Sequence, residues 1–207
     1  MLNFPSKAAV GRIMPKEAFY KRLVLSSELR SKFVSDIKRI TMEYKLSPET
    51  LNVENAGEIS EILVLSIDLK KKDVDYRIIE NIARQNAHKL LFLLKFGDEG
   101  QLALYYNKLY KTKWTLLSDI NLETNGLNIG DIWEGYIEQI AIQEEVINNE
   151  DLSVDEKLMK QEVILNLQKE IDKLEKRSRK EKQPKKKFEL FTQLQIMKRK
   201  LEEEKGE

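Results

Sequence analysis

The stretch Glu58-Ile-Ser-Glu-Ile-Leu-Val-Leu-Ser-Ile-Asp68, followed by Leu69 and three lysines, decides the fold. From Ile59 to Leu69 it is almost continuously apolar, as expected of a strand buried on both faces in the middle of a sheet. Behind Asp75, which can cap a helix, Ile78, Ile79, Ile82 and Ala83 recur at helical spacing. Two further apolar runs, residues 90–96 and 101–106, flank Gly97-Asp98-Glu99-Gly100 and read as a hairpin. Strand, helix and hairpin between Glu58 and Asn107 form the one segment with enough β-type apolar residues to nucleate a sheet core.

Working outward, residues 1–15 read as a surface arm ending at Met14-Pro15. Phe19, Leu23 and Val24 then sit at helical spacing, and Ser26-Ser27 resembles the cap of a second helix with Leu29, Phe33 and Val34 on one face. Ile40-Thr41-Met42-Glu43-Tyr44 has the two-residue period of a half-buried strand. Ser47-Pro48-Glu49 reads as a cap with proline at the first helical position. Downstream, residues 108–114 continue as a basic-aromatic edge. Gly126 and Gly130 flank a turn, and Asp131 opens a helix carrying Ile132, Trp133, Tyr136, Ile137, Ile140 and Ile147. The expectation is an α/β (α+β) domain over residues 1–150, with a mixed, mainly antiparallel sheet flanked by helices.

After Asn148-Asn149-Glu150-Asp151 the composition changes: glycine is absent until Gly206, and charges crowd in. Ile164, Leu167, Ile171 and Leu174 follow coiled-coil spacing, and Leu190, Leu194, Met197 and Leu201 form a second seam. The seams share no heptad frame, since extending the first would place core positions at Phe188 and Thr192. Pro184 lies between them, where it would break a helix interior. Residues 151–207 are therefore expected to form a charged helical tail of two helices, near 153–182 and 185–204. These either fold into an antiparallel hairpin or run end to end as a coiled-coil extension.

The 207 residues suffice for one domain with a core and an appendage, or for two small domains. A charged fraction of 34% exceeds the usual quarter and fits a long solvated helical element. Net charge is +1, so any electrostatic footprint must be local. The chain has no cysteine, which excludes disulfides, a thiol nucleophile and Cys-ligated metal. The first residues lack the apolar region of a signal peptide, and no apolar run approaches a membrane span. The expectation is a soluble, cytoplasmic protein with no membrane partner.

Residues 176–187 carry Lys176, Arg177, Arg179, Lys180, Lys182, Lys185, Lys186 and Lys187 against Glu181 alone, a local charge of +7. The whole of residues 151–207 has only +3, so the positive charge is focused on the helix junction. Such a patch could neutralise several phosphates of DNA or RNA; the alternative is a solvated tip that keeps the tail soluble. No aromatic residue interleaves with the run, so backbone contact is expected rather than base stacking.

Asp68-Leu69-Lys70 closes the central strand ahead of a helix. Restriction-endonuclease-like nucleases place an acidic-x-Lys motif there, where the carboxylate and an acidic neighbour hold a divalent metal that activates water. Glu43-Tyr44-Lys45 is a second such tripeptide, and Glu58 and Glu61 are further candidate ligands. In so charged a chain the match is common by chance, and the Pro-Asp partner motif is missing. His88, the single histidine, rules out a His-rich metal site. No nucleophile elbow or phosphate-binding glycine pattern occurs, so no resident cofactor or metal is expected outside the nuclease reading. Trp114, Tyr105, Tyr106 and Tyr110 beside Lys108, Lys111 and Lys113 are either a binding surface or the cover of a sheet edge.

Four stretches, residues 44–52, 61–69, 108–114 and 174–190, resemble a bacterial domain-of-unknown-function family, family 4391, in their sequence and order. The resemblance covers nearly the whole chain, and Leu174-Glu-Lys-Arg-Ser-Arg-Lys-Glu-Lys-Gln-Pro-Lys-Lys-Lys-Phe-Glu-Leu190 is its most specific part. It implies neighbourhood with helicases and DNA methyltransferases in restriction-modification or anti-phage clusters, and it carries no catalytic residue. The leading expectation is a non-enzymatic adaptor whose α/β domain docks a protein partner, while its tail either self-associates as a homodimer through its seams or presents the basic junction to nucleic acid. The alternatives are a metal-dependent nuclease at Asp68 and Lys70 with Glu43 or Glu61, and a purely structural oligomeriser.

Overall fold

The computed structural model describes residues 2–55, 57–143 and 152–205, apart from the side chain of Tyr20. It divides into two compact units, Met1–Ala141 and Ile142–Glu207. The boundary expected near residue 150, and Ile147, lie outside the described residues.

The first unit is built on a mixed, mostly antiparallel sheet. Its strands are β1 (Ala9–Met14), β2 (Ile37–Leu46), β3 (Ile62–Leu69), β4 (Lys89–Phe96), β5 (Glu99–Tyr106), β6 (Lys108–Lys111) and the two-residue β7 (Thr115–Leu116). The order β1-β2-β3-β4-β5-β6 follows the chain, with β7 beside the start of β5. Only β3 and β4 pair in parallel, joined through helix α4 (Arg77–Arg84). A parallel pair requires such a crossover, whereas Gly97-Asp98 suffices to turn the antiparallel β4–β5 hairpin. Gly97 has φ +59°, a backbone region that a side chain would oppose in this tight turn. The turn is thus two residues shorter than the Gly97–Gly100 loop expected from sequence.

β3 is buried along nearly its whole length, as its apolar run requires. One sheet face carries Ile40, Leu65, Ile67, Phe92, Leu94 and Ala103. Phe33 of α2 (Ser27–Asp36) and Ile78, Ile79 and Ile82 of α4 cover it. Each of the isoleucine, leucine and phenylalanine side chains contributes about 1.5–3 kcal/mol through burial. Ser26 Oγ caps α2 by accepting from Leu29 N at 3.2 Å. Val34, expected on the buried face with Leu29 and Phe33, is exposed. α1 (Lys16–Arg22) precedes α2, with Pro15 at its N-cap.

The amino-terminal segment is a correction to the surface-arm expectation. Leu2, Phe4 and Ala8 are buried, and residues 9–14 form edge strand β1. Phe4 packs edge-on against Tyr44 at 5.0 Å and Tyr136 at 6.4 Å between ring centres. β1 lacks alternation because it is mostly exposed, and Gly11 at φ +63° interrupts its pairing with β2.

Helix α3 (Pro48–Leu51) has a reciprocal cap between Ser47 and Thr50, with Pro48 at its start. Helix α5 (Ile129–Ala141) buries Ile132, Trp133, Tyr136, Ile137 and Ile140. It begins two residues before Asp131. Asn128 Oδ1 accepts from Gly130 N and Asp131 N, while Asp131 Oδ2 accepts from Leu127 N and Asn128 N.

The second unit consists of α6 (Val154–Lys180) and α7 (Pro184–Lys205). Ser153 and Glu156 form a capping box at the start of α6. Pro184 is the first residue of α7, where its missing N–H removes no helical bond. Two helices joined by three residues and packed side by side must run antiparallel, so the tail is a hairpin. Ile164, Ile171 and Leu194 are buried between them, with Leu167, Leu174, Leu190, Met197 and Leu201 half-buried. Phe188 and Thr192, where the first seam would have continued, are exposed.

Candidate functional site

Two places gather the residues singled out in the sequence. The first lies on the sheet face opposite α2 and α4, toward the end of β3. β2 carries a bulge there: Met42 faces Leu65 and Tyr44 faces Val64, leaving Glu43 as an extra residue. Glu43 Oε1 accepts from Ser66 Oγ at 2.5 Å. Lys95 of β4, in register with Asp68 of β3, has its Nζ 3.3 Å from Asp68 Oδ1 and 3.6 Å from Glu43 Oε1. Arg39 holds the other Asp68 oxygen, with Nε at 2.8 Å and Nη2 at 2.7 Å. Three adjacent strands thus bring two carboxylates, a hydroxyl and two cations together. Beside them is a cavity of about 360 Å³ lined by Leu2, Tyr44, Val64, Leu93, Leu117 and Ile120, with Glu43 and Lys95 at its polar end.

Of the four residues proposed for metal-assisted cleavage, Glu43 and Asp68 meet here and the other two do not. Lys70 lies just past β3, donating through Nζ to Val34 O at 3.0 Å, while its amide bonds Asp36 O. Glu61 stands before β3, at its opposite end, paired with Lys45 and with His88 Nδ1 at 3.1 Å. His88 is therefore a partner of Glu61 just ahead of β4. Glu58 is exposed. Among the described residues no three histidine, aspartate or glutamate side chains are placed to hold a metal ion. Sequence reasoning missed Lys95 because only the parallel register of β3 and β4 brings it to Asp68.

Several groups of the basic-aromatic edge are engaged in cation–π contacts within the protein. Lys111 Nζ lies 3.4 Å from the Tyr76 ring centre, Lys108 5.5 Å from Tyr110, and Lys72 5.5 Å from Trp114. Such stacking covers a sheet edge and leaves less of these faces to a ligand.

The second place is the tip of the helical hairpin. Lys176, Arg177, Arg179 and Lys180 end α6, Lys182 lies in the connection, and Lys185, Lys186 and Lys187 occupy the first turn of α7. All eight are exposed. Arg179 pairs with Glu175 at 3.5 Å, and Glu181, whose carboxylate accepts from Gln183 N, is the acidic side chain near Lys186. Those backbone bonds, aided by Lys186, hold the Glu181 carboxyl below its usual range. Lys176, Arg177, Lys180, Lys182, Lys185 and Lys187 have no ion-pair partner among the described residues. At the end of α6 these cations also face the negative helix pole, which stabilises them; at the start of α7 the pole is positive, and three lysines there oppose it.

The model of DUF4391, a domain of unknown function, matches residues 2–201, and the chain belongs to this family. No curated protein and no solved structure matches it. Among the described residues no helix is long and apolar enough to cross a membrane.

Proposed function

We propose that the protein is a non-enzymatic accessory subunit of a nucleic-acid-processing system, and that the tip of its helical hairpin is the nucleic-acid contact. The observation that carries this reading is the set of exposed, unpaired cations at the tip, in a chain whose net charge is only +1. A solvated helix needs mixed charge, not seven net positive charges within twelve residues. Phosphate groups would exchange counterions for these side chains, giving sequence-independent binding that weakens with salt. The α/β unit would dock a protein partner, and exposed Val10 and Ile13 on edge strand β1 support such a role. The helicase or methyltransferase expected from the family resemblance is one class of partner. The triple charge reversal K185E/K186E/K187E tests the reading: DNA or RNA binding by the full chain should fall by more than about tenfold, and unchanged binding would overturn it.

A second reading, phosphodiester hydrolysis on the sheet face, rests on the meeting of Glu43 and Asp68, with Lys95 standing where Lys70 was expected. Against it, Lys95 and Arg39 already compensate both carboxylates, so a divalent metal would have to displace them. Magnesium- or manganese-dependent cleavage of DNA that Asp68→Ala abolishes would establish it. Absence of cleavage, or activity surviving the substitution, would remove this site.

A further inference from the structure

We propose that the hairpin tip is specific for single strands, stacking bases on Phe188 and Phe191 while the flanking lysines hold the phosphates. The proposal rests on the nucleic-acid reading of the tip and adds the substrate class. Phe188 is 71% exposed and Phe191 51% exposed, on a helix that has a partner to bury apolar groups against. Leu190, Leu194, Met197 and Leu201 take that partner face, so the two phenylalanines are outside the seam rather than failed members of it.

Their position relative to the charges is the second observation. At 3.6 residues per turn, Phe188 and Phe191 are neighbours one turn apart, Lys185 lies one turn before Phe188, and Lys187 one turn before Phe191. One side of the first two turns of α7 therefore presents two rings bracketed by two ammonium groups. Lys182 and the cations ending α6 lie just before it in the chain. A duplex offers phosphates but keeps its base faces stacked, whereas an unpaired strand offers both, and every base has a face that a phenyl ring can cover.

An anionic membrane is the other surface that basic and aromatic groups together can meet. Interfacial helices insert a continuous apolar face, however, and on this side of α7 the next positions are Thr192 and Gln195, both exposed and polar. The rings are too few for a membrane anchor and suffice for two bases.

The test is fluorescence anisotropy of the full chain with a labelled oligothymidylate and a labelled duplex of equal length at fixed salt, comparing the parent with F188A/F191A and F188W/F191W. Both positions are exposed, so folding is not at risk, and circular dichroism checks that the helices persist. The expected result is a loss of about tenfold or more in single-strand affinity for the alanine variant, near-parental affinity for the tryptophan variant, and little change for the duplex. An equal effect on both oligonucleotides, or none on the single strand, overturns the stacking proposal while leaving the charge reading intact. No binding of the parent to either oligonucleotide overturns both. Phosphatidylserine-containing vesicles provide the last arm: vesicle binding lost in the alanine variant, with oligonucleotide binding unchanged, would assign the rings to a lipid surface instead.

Discussion

Glu175 Oε1 and Lys198 Nζ lie 2.8 Å apart across the two helices of the tail, an ion pair between residues 23 positions apart in sequence. The pair ties α6 to α7 beyond the three-residue connection and leaves the connection itself at the free end of a hairpin. The Lys198 ammonium, bonded to Glu175, holds that carboxyl below its usual range. Because both groups are solvated, the pair contributes at most modestly to stability, and the apolar contacts must do most of the holding.

Leu194 is the one buried side chain of α7 and should be the weak point of the hairpin. Leu194→Ala should cost about 2 kcal/mol, the low end for leucine truncation because solvent is near. Hydrogen exchange would read the effect: protection of α7 amides should fall while that of β3 and β4 stays as in the parent. Equal loss in both units would contradict the assignment of Leu194 to the hairpin core.

Much of this fold was legible in sequence, and the failures have physical causes. The run from Ile59 to Leu69 marked a strand buried on both faces, and Pro184 marked the break between two tail helices. β1 left no alternating pattern because its residues face solvent and Gly11 breaks its register. Lys70 seemed to share a strand face with Asp68, two residues away, but β3 ends at Leu69 and the chain turns toward α2. The bulge that sets Glu43 beside Ser66 and the pairing of Asp68 with Lys95 are properties of strand register, which no single segment encodes. Phe188 and Phe191 were invisible as a surface because seam counting could not decide which residues the hairpin would leave outside.

Lys95 should matter more than Lys70. Lys95→Met leaves Glu43 without a cation and Asp68 with Arg39 alone, and should cost about 1.5–3 kcal/mol at neutral pH, whereas Lys70→Met should cost well under 1 kcal/mol. Urea unfolding of the two variants measures the difference. Equal costs would mean that the sheet-face cluster is not a coupled unit.

Asp75 should shape the acid limb of stability. Its carboxylate receives the Arg77 guanidinium at 2.6 Å and the Lys32 ammonium at 2.9 Å. The Arg77 hydrogen bonds, foremost, outweigh burial and, with Lys32, hold the carboxyl well below the usual range. A carboxyl depressed in the folded state contributes stability that is fully present above the unfolded value of about 3.9 and is lost as pH falls toward the folded one. Asp75→Asn should therefore be destabilising at neutral pH and approach the parent in strong acid, as urea midpoints across that range would record. A constant difference at every pH would contradict the assignment.

Gly126 should resist any side chain. A Cβ there would lie 2.8 Å from Asp131 Cβ and 2.9 Å from both Ile132 Cγ1 and the Ile132 backbone nitrogen. Those atoms belong to the capped first turn of α5 and have little freedom to yield. Gly126→Ala should cost about 1–3 kcal/mol by overpacking, measurable as a lowered urea midpoint. A parental midpoint would show that the α5 start can shift at no cost.

The claim that the basic tip contacts nucleic acid is tested most directly by the salt dependence of binding. Dissociation constants of the full chain for a labelled oligonucleotide would be measured across a salt series, with and without K185E/K186E/K187E. Six unpaired cations imply a log–log slope of about −4 for a single strand and about −5 for a duplex. The variant removes two of the six, Lys185 and Lys187, and should flatten either slope by about 1.5–2 and weaken binding throughout. A parental slope near zero, or a triple variant whose affinity and slope match the parent, would contradict the account.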